Sequence, residues 1–130
     1  MIDKIKYWIE IAEEDLSVAN VLIKANKFLY TGFMCHQSIE KGIKAIIARD
    51  CSEGEIPPKI HDLSKLAIHA KIFETMTFIQ QDFIEELNPL NIDARYPEYR
   101  QQLMAMLTKD KCEEIIEETE KFLCWIKEQL

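Results

Sequence analysis

Glycine and proline are scarce in this chain, at three and four residues of 130, which excludes collagen-like, low-complexity and turn-rich β architectures. Positive charge is in deficit as well. Lys and Arg together number 16 against 23 Asp and Glu, a net charge of -7. General nucleic-acid binding depends on clustered cations that neutralise phosphates, so any nucleic-acid contact must be local, and DNA is not an expected partner. No apolar run approaches the roughly 18 residues that a membrane span needs. Cys35, Cys51, Cys112 and Cys124 are dispersed with no C-x-x-C, which removes the paired spacing of a structural zinc site. Three of them fall in helical patterns, where a thiol acts as a small hydrophobe, and the expectation is reduced thiols in a cytoplasmic protein. The opening residues carry acids and no small-residue cleavage site, so no secretory leader is expected. Phosphate-cradling glycine loops are missing too, and no Ser, Cys and His spacing announces a nucleophile with its base. No cofactor is expected.

What the chain does have is helical periodicity. Ile5, Trp8, Ile9, Ala12, Leu16, Ala19, Leu22 and Ile23 recur at three-and-four spacing, with Asp3 placed to cap them. After a break at Asn26-Lys27, Leu29, Phe33, Ile39, Ile43, Ile46 and Ile47 define a second long helix, which stops at the segment beginning Asp50. Two long helices joined so tightly should lie antiparallel. Pro57-Pro58 marks a loop, since the pair cannot continue a helix. Leu63, Leu66, Ala67 and Ala70 then read as a short helix with Asp62 in its first turn. A further helix is expected from Phe73 to Leu87, ending before Pro89. The last helix carries Cys112, Ile115, Ile116, Thr119, Phe122, Leu123, Ile126 and Leu130, with Leu103 to Leu107 as a helical turn or two leading into it. No sustained apolar-polar alternation suggests a strand. The expected fold is all-α: one domain over residues 1–130, an antiparallel up-and-down bundle of about four or five helices.

Two stretches do little for such a core. In FMCHQSIEKGIKAII the pairs His36/Glu40, Gln37/Lys41 and Glu40/Lys44 each stand four apart, a polar seam bordering the apolar stripe. Its plainest role is to keep a helix rim solvated. His36 with Glu40 would supply only two metal ligands, so no metal is expected. His61 and His69 have ordinary places near the ends of their helix. In DARYPEYRQQ two of the chain's three arginines, Arg95 and Arg100, accompany Tyr96 and Tyr99. If Pro97 opens a helix, Arg95 beside that helix's exposed N–H groups would form an anion site, with the tyrosines free to stack on a base or a partner. The alternative is that Arg95 pairs internally with Glu40 or Asp93 and holds the loop.

The ordered set AEEDLSVANVLI, FMCHQSIEKGIKAII, PPKIHDLSKL and ARYPEY resembles the HEPN family of small helical-bundle proteins of bacteria and archaea, over nearly the whole chain. The resemblance implies an up-and-down bundle that dimerises. Many members are paired with a minimal nucleotidyltransferase in a toxin-antitoxin-like module, and others are metal-independent ribonucleases. The ribonuclease members carry an Arg followed about four to six residues later by a His. Arg95 matches the Arg, but Tyr99, Arg100, Gln101 and Gln102 follow it, and no His occurs beyond His69. Free Tyr titrates about three units above working pH, which makes Arg95 with Tyr99 a poor acid-base pair.

The resemblance therefore implies first a dimeric binding component of a nucleotidyltransferase/HEPN pair. A nucleotide, or locally RNA, would be held by Arg95, Tyr96, Tyr99 and Arg100 together with the seam His36, Gln37, Glu40 and Lys44. The alternatives are a ribonuclease toxin using Arg95 with a tyrosine, and a ligand-free helical adaptor. Trp8, Tyr30, Phe78 and Phe83 exceed the expected core set, and a homodimer contact should cover some of them.

Overall fold

The computed structural model describes residues 3–52, 54–91 and 97–130. Arg95, Tyr96 and Asp93 lie outside them. Six α-helices occur among the described residues: α1 (Lys4–Lys24), α2 (Phe28–Asp50), α3 (Leu63–His69), α4 (Phe78–Leu87), α5 (Pro97–Met106) and α6 (Lys109–Gln129). Short 3-10 turns span Phe73–Thr75 and Asn88–Asn91. The all-α expectation holds, with a helix count slightly above four or five.

The two long N-terminal helices begin and end as their local chemistry dictates. The Asp3 side chain accepts the Lys6 N–H at the start of α1. At its end Asn26 takes φ 59°, and Lys27 N–H reaches back to the Leu22 carbonyl at 2.9 Å. That six-to-one bond closes the helix, and Asn tolerates the left-handed conformation that glycine usually supplies. The chain then reverses, and α2 packs antiparallel on α1. Ser38 Oγ donates to the Ala12 carbonyl at 2.8 Å, and Lys4 Nζ donates to the Ser52 carbonyl at 3.2 Å, tying the start of α1 to the end of α2.

Helix α2 is the central post of the bundle. Every residue from Gly42 to Ala48 is buried, a pattern reserved for a helix covered on all sides. Ile39, Ile43 and Ile46 are fully buried among Leu63, Leu66, Ile84, Leu87, Phe122 and Ile126, which come from α3, α4 and α6. At Gly42, a Cβ would sit 2.9 Å from Ile126 Cδ1 and 3.1 Å from Leu123 Cδ1. The missing side chain lets α6 approach.

Three local expectations need correction. Asp62 stands one position before the first turn of α3, as an N-cap accepting the Lys65 N–H at 2.9 Å. The stretch from Phe73 to Leu87 is not one helix. Thr77 and Gln80 form a reciprocal capping box, which starts α4 afresh at Phe78. The expected end before Pro89 does hold: α4 stops at Leu87, and Pro89 sits in the 3-10 turn that follows it. The lead-in to the last helix is the separate helix α5, broken from α6 at Thr108, whose hydroxyl caps Lys111 N–H. Among the surplus aromatics, Phe83 belongs to the core, packed 6.4 Å from Phe122. Trp8 is partly buried, whereas Tyr30 and Phe78 are exposed.

Candidate functional site

The polar seam of α2 is buried, not a solvated rim. His36 and Glu40 are 0% and 1% exposed, and Lys44 only 6%. Helical spacing stacks the three on one side of α2, and the packing of α1 and α3 then closes over them. Trp8 of α1 lies under Lys44, whose Nζ is 5.9 Å from the ring centroid.

Glu40 is the hub. Its Oε2 accepts from Lys44 Nζ at 3.0 Å and faces Lys41 Nζ at 3.5 Å. Its Oε1 meets His61 Nδ1 at 3.0 Å, and His36 Nδ1 stands 4.0 Å away. Burial alone would raise the Glu40 pKa, but the hydrogen bonds from Lys44 and His61 and the charge of Lys41 outweigh it and hold the pKa below the usual carboxylate value. Glu40 is therefore ionised, and an ionised carboxylate only accepts. His61 Nδ1 must carry a proton, and Nε2 is the end of the ring turned away from Glu40.

The same logic fixes the neighbours. Lys41 Nζ donates to Gln37 Oε1 at 2.8 Å. Gln37 Nε2 is then the donor end, and it donates to Asn91 Oδ1 at 3.1 Å while facing His36 Nδ1 at 3.4 Å. His36 Nδ1 is accordingly the acceptor and Nε2 bears the hydrogen. That Nε2 is buried with no hydrogen-bond partner among the described residues, although the His61 backbone acts on the ring in favour of protonation. Burial dominates and pushes the His36 pKa down to about 4, so the ring is neutral at pH 7.

Through His61, whose side chain is 60% exposed, the network reaches solvent. An open cleft of about 220 Å³ is lined by His61, Asp62, Asn88 and Asn91. Asn88 Oδ1 accepts the Leu63 N–H at 2.8 Å, which turns its amide nitrogen away from that bond. No group of three or more His, Cys, Asp or Glu side chains suited to a metal ion occurs among the described residues.

Of the residues singled out from sequence, His36, Gln37, Glu40 and Lys44 are thus brought into one network. Arg100 is not part of it. Its guanidinium lies 6.0 Å from the Tyr30 ring centroid, and Tyr30 and Glu40 are ten residues apart on α2, about 15 Å along the axis. Tyr99 is half exposed at the start of α5. Sequence reasoning missed the roles of His61, Asn88 and Asn91, because nothing local signals that a loop before α3 and a turn after α4 meet the same face of α2. The one available clue was that His61 immediately precedes a capping Asp62, which places it at a helix entrance.

The chain's likeness to solved structures extends over its whole length. TT1696 from Thermus thermophilus superposes with a TM-score of 0.80 at 19% identity, covering 99% of this chain and 100% of that one. ST0689, an archaeal HEPN homologue, superposes with a TM-score of 0.70 at 20% identity, covering 98% of each chain. At such identities the likeness shows the fold. No curated protein matches the chain. The HEPN domain model matches residues 5–129, nearly the entire sequence, and the chain belongs to the HEPN family.

Proposed function

We propose that this HEPN protein is a dimeric binding component of a two-gene, toxin-antitoxin-like module, partnered by a minimal nucleotidyltransferase and able to hold a nucleotide. The observation that carries the reading is the buried Glu40 network and its outlet at the His61–Asn91 cleft. A buried ion cluster is a poor way to gain stability, because desolvation consumes most of its Coulombic gain. Its retention in the central helix is better explained by what it holds in place, a set of oriented polar groups at the surface. Arg95 follows Asn91 by four residues in sequence, close enough along the chain to serve the same ligand.

Three measurements test this together. Light scattering should return a mass near twice 15.3 kDa. A nucleotidyltransferase encoded beside the chain should co-elute with it when the two are co-expressed. Calorimetric titration with ATP should show binding that weakens about tenfold or more in Arg95→Ala, the loss of one charge-assisted bidentate contact. A monomer that ignores both the neighbour and ATP would sink the proposal. Cleavage of tRNA that vanished in Arg95→Ala would replace it with the ribonuclease reading.

A further inference from the structure

The geometry points to the cleft between α3 and the turn Asn88–Asn91 as a ribose-phosphate subsite, in which His61 Nε2 and the Asp62 carboxylate accept hydrogen bonds from the sugar hydroxyls while the amide nitrogens of Asn88 and Asn91 donate to a phosphate oxygen. This assignment rests on the nucleotide-binding reading above and adds the ligand's chemical class and the residues that select it.

The donor and acceptor pattern of the cleft is dictated by the groups behind it. Glu40 accepts from His61 Nδ1 at 3.0 Å, so Nε2 is the end of the ring turned away from Glu40, and in the neutral imidazole its lone pair is free to accept. Asp62 spends one oxygen on the Lys65 N–H; as a carboxylate it has acceptor capacity left. The Asn side chains are fixed the other way round. Asn88 Oδ1 is held by the Leu63 N–H, which cannot accept, so its amide nitrogen is the end turned away. Asn91 Oδ1 is held by Gln37 Nε2, itself fixed because Lys41 occupies Gln37 Oε1. Neither Asn amide nitrogen has a hydrogen-bond partner among the described residues, and neither does His61 Nε2.

The cleft is therefore lined by two residues with acceptor capacity left, His61 and Asp62, and by two with an unengaged amide donor, Asn88 and Asn91. A sugar diol with an attached phosphate carries the complementary pattern, hydroxyl donors beside oxyanion acceptors. A carboxylate gripping a ribose hydroxyl is a recurrent solution, and neutral amide donors suit an oxyanion beside it. The size agrees. About 220 Å³ corresponds to roughly seven waters of liquid volume, enough for a sugar with one phosphate and too small for a whole nucleotide. The base must lie outside the cleft.

The test uses the intact protein and calorimetric titration with ATP and 2′-deoxyATP, alongside thermal melts. Wild type should bind ATP at least tenfold more tightly than 2′-deoxyATP, the discrimination expected of one hydrogen bond to a hydroxyl left unmade. In His61→Ala that preference should collapse. Because His61→Ala also strips a partner from buried Glu40, a second variant guards against misfolding. The double change Asn88→Asp with Asn91→Asp keeps both inward acceptor bonds, so the melting temperature should hold, while ATP affinity drops tenfold or more as donors become carboxylates. ATP affinity unchanged in the double variant, or equal affinity for the two nucleotides in wild type, would overturn the subsite and leave nucleotide binding elsewhere intact. No ATP binding by the wild type would remove the nucleotide reading itself, and this one with it.

Discussion

Helix α2 holds two kinds of interior side by side. Ile39, Ile43 and Ile46 are fully buried among aliphatic and aromatic side chains with no polar demand to satisfy. About a quarter turn around the same helix, His36, Glu40 and Lys44 are just as deeply buried and can exist there only as a connected network. The dry side is tolerant in composition and intolerant of lost volume. The charged side is the reverse, since each member is stable only while its partners remain. One side stabilises the fold, and the other orients His61, Gln37 and Asn91 at the surface.

The sharpest way to separate them is to cut each and then attempt a repair. Ile43→Ala should cost about 3–4 kcal/mol through lost transfer energy and the cavity left behind. Glu40→Ala should cost roughly 3 kcal/mol, because Lys44 is left buried without its counter-ion. Chemical denaturation measures both. The repair distinguishes them: Glu40→Leu combined with Lys44→Met should recover all but about 1 kcal/mol, since an apolar pair of similar volume often replaces a buried ion pair without loss. If the double variant remained as unstable as Glu40→Ala, the network would be a stabilising element and the contrast would fail.

That contrast was only half legible in the sequence. Periodicity located α1, α2 and α6 because each buries a continuous stripe, and such a stripe is a local signal. The division of residues 73–87 was missed because the apolar spacing runs on through Met76, while the Thr77–Gln80 capping box that breaks it is a matter of side-chain hydrogen bonds. The pairs His36/Glu40 and Glu40/Lys44 were visible as i,i+4 neighbours. Their burial was not, because it depends on Trp8 of α1 and His61 before α3, which are distant in sequence. A charged pair on a helix reads the same whether water or another helix covers it. The tertiary packing alone decides.

Acid should act on the charged side and spare the dry one. The folded His36 ring has its pKa depressed to about 4 from 6.5, so between those values the unfolded chain binds a proton that the folded chain excludes. Stability from this group is fully present above pH 6.5 and declines as pH falls through the window. Glu40, also depressed when folded, adds a further loss at lower pH as it protonates through its folded value. Lowering the pH from 7 to 5 should cost roughly 2 kcal/mol through His36. Melting temperatures recorded across this range check it, and His36→Gln should flatten the profile above pH 5. An equal slope in the variant would assign the effect to other groups.

The smallest effect belongs to the boundary of the dry side, at Gly42. Replacing a mid-helix glycine with alanine ordinarily gains roughly 0.5–1 kcal/mol from reduced backbone entropy in the unfolded chain. Here the added Cβ would stand 2.9 Å from Ile126 Cδ1 and 3.1 Å from Leu123 Cδ1. Those are the ends of side chains, so they can turn aside, but Ile126 is fully buried and α6 has little room to retreat. Overpacking of a filled core typically costs about 1–3 kcal/mol, which exceeds the propensity gain. Gly42→Ala should therefore destabilise by about 1 kcal/mol, seen as a lower denaturation midpoint with an unchanged slope. Coupling it with Ile126→Val, which trims the clashing methyl, should return part of the loss, whereas coupling it with Lys44→Met should be additive because the charged side is not what it presses against. A Gly42→Ala protein more stable than wild type would mean that α6 yields freely, and that the dry side of α2 is looser than its burial implies.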